Sequence, residues 1–154
     1  MTIEKIEELV NAIGLKAKSS ANSLAYSDPE KKRRALLNAA LSVLDNKTII
    51  LEANKEDIER SITKDLSEAM LDRLKLNEDR VNGISNGLVE IANLTDPVGK
   101  ILDEWIQPTG LNIKRVQTPL GVIGVIYESR PNVTADAGGL CFKAGNSVIL
   151  RGGS

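Results

Sequence analysis

Histidine is missing from this chain of 154 residues, which rules out Ser-His and Cys-His catalytic pairs and any His-ligated zinc site within it. Cysteine occurs once, as Cys141, so no disulfide can close inside the chain and a reducing compartment is expected. Aromatic residues make up only 3%, too few for a base-stacking platform. Neither sign of charge dominates: 20 Lys and Arg stand against 21 Asp and Glu, a formal net charge of -1. Neither nucleic acid nor an anionic membrane is therefore expected as a partner. Long apolar runs are also lacking. The longest, Gly121–Tyr127, is far too short to span a bilayer, and the acidic stretch Met1–Glu8 is no signal peptide. A soluble, cytoplasmic protein is the expectation.

What is present has two textures. From Ile3 to Leu94 the chain reads as helices. Ile3, Ile6, Val10, Ile13, Ala17 and Leu24 recur at steps of three and four, with charged residues between them, and so mark one apolar helix face. A break follows at Tyr26–Asp28. Asp28-Pro29 offers a side-chain acceptor and a preset φ for a second helix. This helix would turn Leu36, Leu37, Ala40, Leu41 and Leu44 inward and end near Asp45-Asn46. A third helix is expected over Lys47–Ile58 and a short one over Asp65–Leu71. A fifth runs over Asn77–Asn93, with Asn77 at its cap and Val81, Ile84, Leu88 and Ile91 facing a core.

Beyond Asp96-Pro97-Val98-Gly99 the period shifts from 3.6 toward 2. Ile101–Gln107 and Leu111–Thr118 flank Pro108-Thr109-Gly110 as a hairpin. Gly121–Tyr127 is apolar at successive positions, as strands of a parallel sheet buried on both faces are. A helix over Pro131–Ala144, stopped by Gly145-Asn146, leads to a second short strand, Ser147–Leu150. Strand, helix, strand with tight connections makes one βαβ unit. The residues thus describe a helical arm (1–99), a hairpin (100–118) and half of an α/β nucleotide-binding-like domain (119–154).

Ligands of open α/β sheets lie beyond the carboxyl ends of strands. Two segments fall there. In Glu128-Ser129-Arg130-Pro131-Asn132, the helix start, the Arg130 cation and the Asn132 amide suit an anion, although Asn132 could simply cap the helix and Arg130 pair at the surface. Arg151-Gly152-Gly153-Ser154 is a Gly-rich turn open to a nucleotide, or a plain strand-to-helix connection. Cys141, mid-helix with Val133, Ala137 and Ala144 at helical spacing, reads as core rather than nucleophile. Gly138-Gly139 would let its helix approach the sheet. Lys31-Lys32-Arg33-Arg34 opposes the helix dipole and reads as a solvated face. No carboxylate spacing suggests a metal site.

The stretch Thr118-Pro-Leu-Gly-Val-Ile-Gly-Val-Ile-Tyr-Glu-Ser-Arg-Pro-Asn-Val-Thr134 resembles the signature of the glutamate-5-semialdehyde dehydrogenase family, also called gamma-glutamyl phosphate reductases, a branch of the aldehyde dehydrogenase superfamily. So does Gly139-Leu-Cys-Phe-Lys-Ala-Gly-Asn-Ser-Val-Ile-Leu-Arg-Gly-Gly-Ser154. Ile50-Leu-Glu-Ala-Asn54 with Asp57, Leu71-Asp-Arg-Leu74 and Asp96-Pro-Val-Gly99 fit the same family in the same order. The resemblance implies an aldehyde-dehydrogenase-like, Rossmann-type cofactor-binding domain, incomplete here. It implies an NADPH-dependent reduction of L-glutamate 5-phosphate to the 5-semialdehyde in proline biosynthesis, through a cysteine thiolate that Cys141 does not match. The chain alone is accordingly expected to be an inactive N-terminal portion, with its apolar strand edges poorly behaved in isolation. The resemblance further implies Asn132 as an oxyanion donor and Arg130 as a substrate-phosphate contact. Ser129-Arg130-Pro131-Asn132 departs here from the superfamily's proline-tryptophan-asparagine pattern and needs a gap to align. Arg151, with Gly152 and Gly153, would lie at the cofactor's 2′-phosphate, and the hairpin would join subunits of a homo-oligomer. Competing readings are a stand-alone oligomerisation module derived from the family and another acylating aldehyde dehydrogenase.

Overall fold

The computed structural model describes residues 2–62, 66–128 and 130–152. In chain order the elements are α1 (Ile3–Leu24), α2 (Pro29–Asp45), α3 (Lys47–Ile62), α4 (Glu68–Leu74), α5 (Glu78–Asn93), β1 (Ile101–Ile106), β2 (Asn112–Val116), β3 (Val122–Ile126), α6 (Pro131–Lys143) and β4 (Ser147–Arg151). The short helix thus begins at Glu68, capped by the Ser67 hydroxyl; Asp65, where the sequence suggests its start, lies outside the described residues.

Capping chemistry sets the helix boundaries. The Asp28 carboxylate accepts the Glu30 and Lys31 amides at 2.9 and 3.0 Å, with Pro29 in the first turn of α2. Asn77 accepts the Arg80 amide at 2.8 Å and opens α5. At the far end of α6, Gly145 takes a positive φ of 76°. Its amide bonds the Phe142 carbonyl and the next amide bonds that of Cys141, a paired closure that needs the left-handed residue. A Cβ there would also stand 2.9 Å from the Pro119 ring, so glycine is required twice over.

The core lies where α2, α5 and α6 meet. Leu36 and Ala40 of α2 pack on Leu88, Ile91 and Ala92 of α5, with Phe142 and Ala135 of α6 against them. The alanines allow close approach, and the Ser85 hydroxyl donates to the Ala40 carbonyl at 2.9 Å inside the contact. Gly139 serves the same junction. A Cβ on it would meet Ile91 Cδ1 and Leu88 Cδ2, both at 3.1 Å. The close approach that the Gly138-Gly139 pair provides is therefore to α5, not to the sheet, and a Cβ on Gly138 would meet nothing.

The basic run at the start of α2 is not uniformly solvated. Lys32 is 1% exposed, its ammonium 2.7 Å from Asp96 Oδ2 and donating to the Lys143 carbonyl at 3.2 Å. The approach to Asp96 Oδ2 is a charge contact and not a directed hydrogen bond. Lys143, also buried, donates to the Ala92 carbonyl at 2.8 Å. Both ammoniums thus sit on carbonyls at helix C-terminal ends, where the dipole favours cations. The partner carboxylate comes from 64 residues beyond Lys32, which explains why local reading misassigns the run.

Two small sheets complete the fold. β1 and β2 pair antiparallel around Pro108-Thr109-Gly110, with Gly110 at φ 85° and a bulge between Ile101 and Asp103. Glu104–Lys114 and Asp103–Arg115 face one another across this hairpin. β3 and β4 pair in parallel, Val122 with Ser147 through Ile126 with Arg151, joined by α6 as the βαβ reading requires. The Asn146 amide oxygen accepts from the Gly121 amide at 2.8 Å, and the Ser147 hydroxyl donates to the Ala17 carbonyl of α1 at 2.7 Å.

Two expectations of burial are corrected. Ile123 and Val125 of β3 are half-buried, but Val122, Gly124 and Ile126 are exposed, Ile126 at 85%. Among the described residues this sheet has two strands, and they leave the second face of the pleat exposed. Leu41 and Leu44 are likewise exposed, and of the stripe on α1 Ile3, Ile6, Val10 and Ile13 are open while Ala17 and Leu24 are half-buried. Periodicity identifies a face; it does not supply what covers it.

Candidate functional site

The parallel strands end side by side. The Tyr127 amide bonds the Arg151 carbonyl at 3.1 Å, continuing the ladder one step past β3. The chain then turns into α6, and Tyr127 Oη shares a 2.5 Å hydrogen bond with Thr134 Oγ1, tying strand end to helix. Arg130 occupies the N-cap position without a side-chain capping bond, and Pro131 fills the first turn. Asn132 does not cap the helix. Its Nδ2 donates to Asp136 Oδ2 at 3.0 Å, one turn along the same helix. A primary amide carries two hydrogens, so one donor of Asn132 is oriented and still available.

Facing this turn is the connection between α4 and α5. Arg73, Lys75 and Arg80 line one wall of a cleft of ≈ 410 Å³, and Arg130, Asn132 and Asp136 the other. That volume lies within the range of about 300–1,000 Å³ usual for small-molecule sites. Arg80 is committed: it donates to the Asp72 and Lys75 carbonyls and to Asp72 Oδ1. Among the described residues, the side chains of Arg73, Lys75 and Arg130 take part in no hydrogen bond or ion pair. The cleft therefore holds a surplus of unneutralised cation.

The connection is held from below by Asn54 of α3, which is buried. Its amide donates to the Leu74 carbonyl at 2.9 Å and its oxygen accepts the Leu76 amide at 2.7 Å. Two sequence motifs far apart in the chain, Ile50–Asn54 and Leu71–Leu74, meet in this clamp. Arg73, Lys75 and Asn54 escaped reading as site residues because the pairing spans about twenty positions with no local signal.

Arg151 and Gly152 lie at the end of β4, outside the cleft. Arg151 is exposed and its guanidinium bonds the Gly152 carbonyl. A Cβ on Gly152 would make only ordinary contact with the Tyr127 ring, so packing within the chain does not demand glycine there. Gly153 lies outside the described residues. The strand ends thus present two separate surfaces, with Tyr127 between them.

Cys141 is a free, buried thiol, and burial pushes its pKa up, the reverse of what a nucleophile requires. Among the described residues no group of three His, Cys, Asp or Glu could hold a metal, and no helix is long and apolar enough to cross a membrane.

A βαβ unit packed against helices, with a cationic cleft beside the β3–α6 turn and an exposed hairpin, defines a partial α/β domain. No family model matches the sequence. Solved structures do. The chain superposes on gamma-glutamyl phosphate reductase from Thermotoga maritima with a TM-score of 0.86 and 38% identity, over 90% of its own length and 33% of that chain. For gamma-glutamyl phosphate reductase from Saccharomyces cerevisiae the values are 0.85 and 35%, over 93% and 36%. The chain belongs to the gamma-glutamyl phosphate reductase family and spans about a third of the length of these members.

Proposed function

We propose that the chain is the N-terminal part of an NADPH-dependent reductase that converts L-glutamate 5-phosphate to L-glutamate 5-semialdehyde and phosphate in proline biosynthesis. The observation that carries this reading is the match to two gamma-glutamyl phosphate reductases over at least 90% of the chain. The unpaired cations lining the cleft beside the β3–α6 turn are chemically consistent with it.

In this reading Arg130 neutralises the substrate phosphate and stabilises it as it leaves. Asn132 is held by Asp136 so that its second N–H reaches the acyl oxygen, where negative charge develops as a thiolate attacks. The thiolate comes from beyond this chain, since the buried Cys141 is unsuited to the task. NADPH, when bound, supplies hydride. Arg151 would hold its 2′-phosphate, an exposed guanidinium at a strand end being suited to that dianion, and the Gly152 backbone would lie along it. The hairpin, exposed along both strands, would be the arm that joins subunits of a homo-oligomer.

The test is a chimera in which this chain replaces the matching third of the Thermotoga maritima enzyme. It is assayed in the reverse direction, by phosphate-dependent reduction of NADP+ with glutamate semialdehyde. The chimera should turn over, prefer NADP+ to NAD+, and lose that preference on Arg151→Gln; the 154-residue chain alone should show no turnover. A folded chimera without activity, or turnover by the chain alone, would count against the proposal.

A further inference from the structure

We infer that the cleft holding Arg130 also recognises the amino-acid end of the substrate. Arg73 and Lys75 would take its α-carboxylate and Asp136 its α-ammonium. This rests on the functional reading above and adds residues that neither the turn nor the strand ends contain.

The first ground is charge. The cleft offers unpaired cations from two separate parts of the chain, Arg130 at the N-cap of α6 and Arg73 with Lys75 at the C-terminal end of α4. A single phosphate uses the cation nearest the α6 N-terminus, where backbone amides also favour it. The cations on the facing wall then remain for a second anionic group on the same molecule. The second ground is preorganisation. The Lys75 carbonyl is held by Arg80, and the peptides on either side of it by the buried Asn54. Asn54 thereby fixes the backbone from which the Arg73 and Lys75 side chains extend toward the cleft.

The third ground is the acceptor. Asp136 gives Oδ2 to Asn132, while its Oδ1 makes no hydrogen bond among the described residues. A carboxylate lining a cationic cleft is matched to an ammonium and mismatched to a simple dicarboxylate. One cleft thus carries complements to phosphate, carboxylate and ammonium, the three charged groups of an α-amino acid phosphorylated on its side chain.

The experiment is equilibrium titration of the 154-residue chain, by calorimetry or amide chemical shifts, with three probes: inorganic phosphate, L-glutamate and glutarate. Arg73→Gln with Lys75→Gln should weaken L-glutamate at least about tenfold, the loss expected for charged hydrogen bonds, and leave phosphate within about twofold. Arg130→Gln should do the opposite. Asp136→Asn should weaken L-glutamate but not glutarate. Lys16→Gln with Lys18→Gln on α1 removes the same charge elsewhere and should change neither. Absence of saturable L-glutamate binding overturns the inference, as does equal weakening of both probes by the α1 pair and the cleft pair, which would mean diffuse attraction. Far-UV spectra of each variant separate loss of binding from loss of fold. The two proposals fail separately. A folded but inactive chimera, with this pattern of binding intact, removes the reductase reading and leaves the site. An active chimera whose KM is unmoved by Arg73→Gln with Lys75→Gln removes the site and leaves the reductase.

Discussion

The junction of α2, α5 and α6 and the outer parts of the same molecule follow opposite rules. At the junction the buried groups are largely answered within the chain. Ala40 and Ala92 are closed over, Ser85 finds a carbonyl, and even Lys32 and Lys143 have partners despite burial. On α1, the hairpin and one face of β3, apolar side chains of the same kind are open: Val10, Ile106 and Ile126 are all exposed. Sequence hydrophobicity does not separate the two regions. What separates them is whether the covering surface belongs to these residues. A stable centre with unanswered apolar faces around it is the form expected of a part whose other contacts are made by further protein.

The sharpest way to break this contrast is to unpair the centre. Asp96→Asn leaves Lys32 charged and buried without its counterion, and should cost about 3–5 kcal/mol, read as a lower urea midpoint. Changing Lys32→Met together with Asp96→Leu should recover part of it, because the penalty comes from an unmatched charge. Next in size, Gly139→Leu drives side-chain atoms into Ile91 and Leu88 and should cost about 1–3 kcal/mol by the same measurement. Asp28→Ala removes two accepted hydrogen bonds at the start of α2 and should cost about 1 kcal/mol. Smallest of all, Val10→Ala or Ile106→Ala should move the midpoint by no more than about 0.5 kcal/mol in the monomer. A larger drop for either, dependent on protein concentration, would mean that the open faces are covered by a second molecule in solution.

The same division explains what could be read in advance. Asp28-Pro29, Asn77 and Gly145-Asn146 act on neighbours within a few positions, so their helix boundaries were legible, as was the Val81, Ile84, Leu88, Ile91 face of α5. The parallel pairing of β3 with β4 followed from a helix between two apolar runs. Lys32 was misread because its counter-charge is supplied from the segment after α5, and Leu41 because a periodic face is wider than the stripe its partner covers. At the candidate site, the turn carrying Arg130 and Asn132 was identifiable from strand-to-helix chemistry. That Arg73 and Lys75 stand across from it depends on Asn54, whose role only the folded chain reveals.

The Ser147 hydroxyl bound to the Ala17 carbonyl joins residues 130 positions apart. During translation α1 is made well before the strand it docks against. That helix must therefore wait, its greasy side bare, while the residues between the two are synthesised, and contacts of such sequence separation form slowly. That interval is when a chaperone, or α1 from a neighbouring nascent chain, has its best opportunity to engage it.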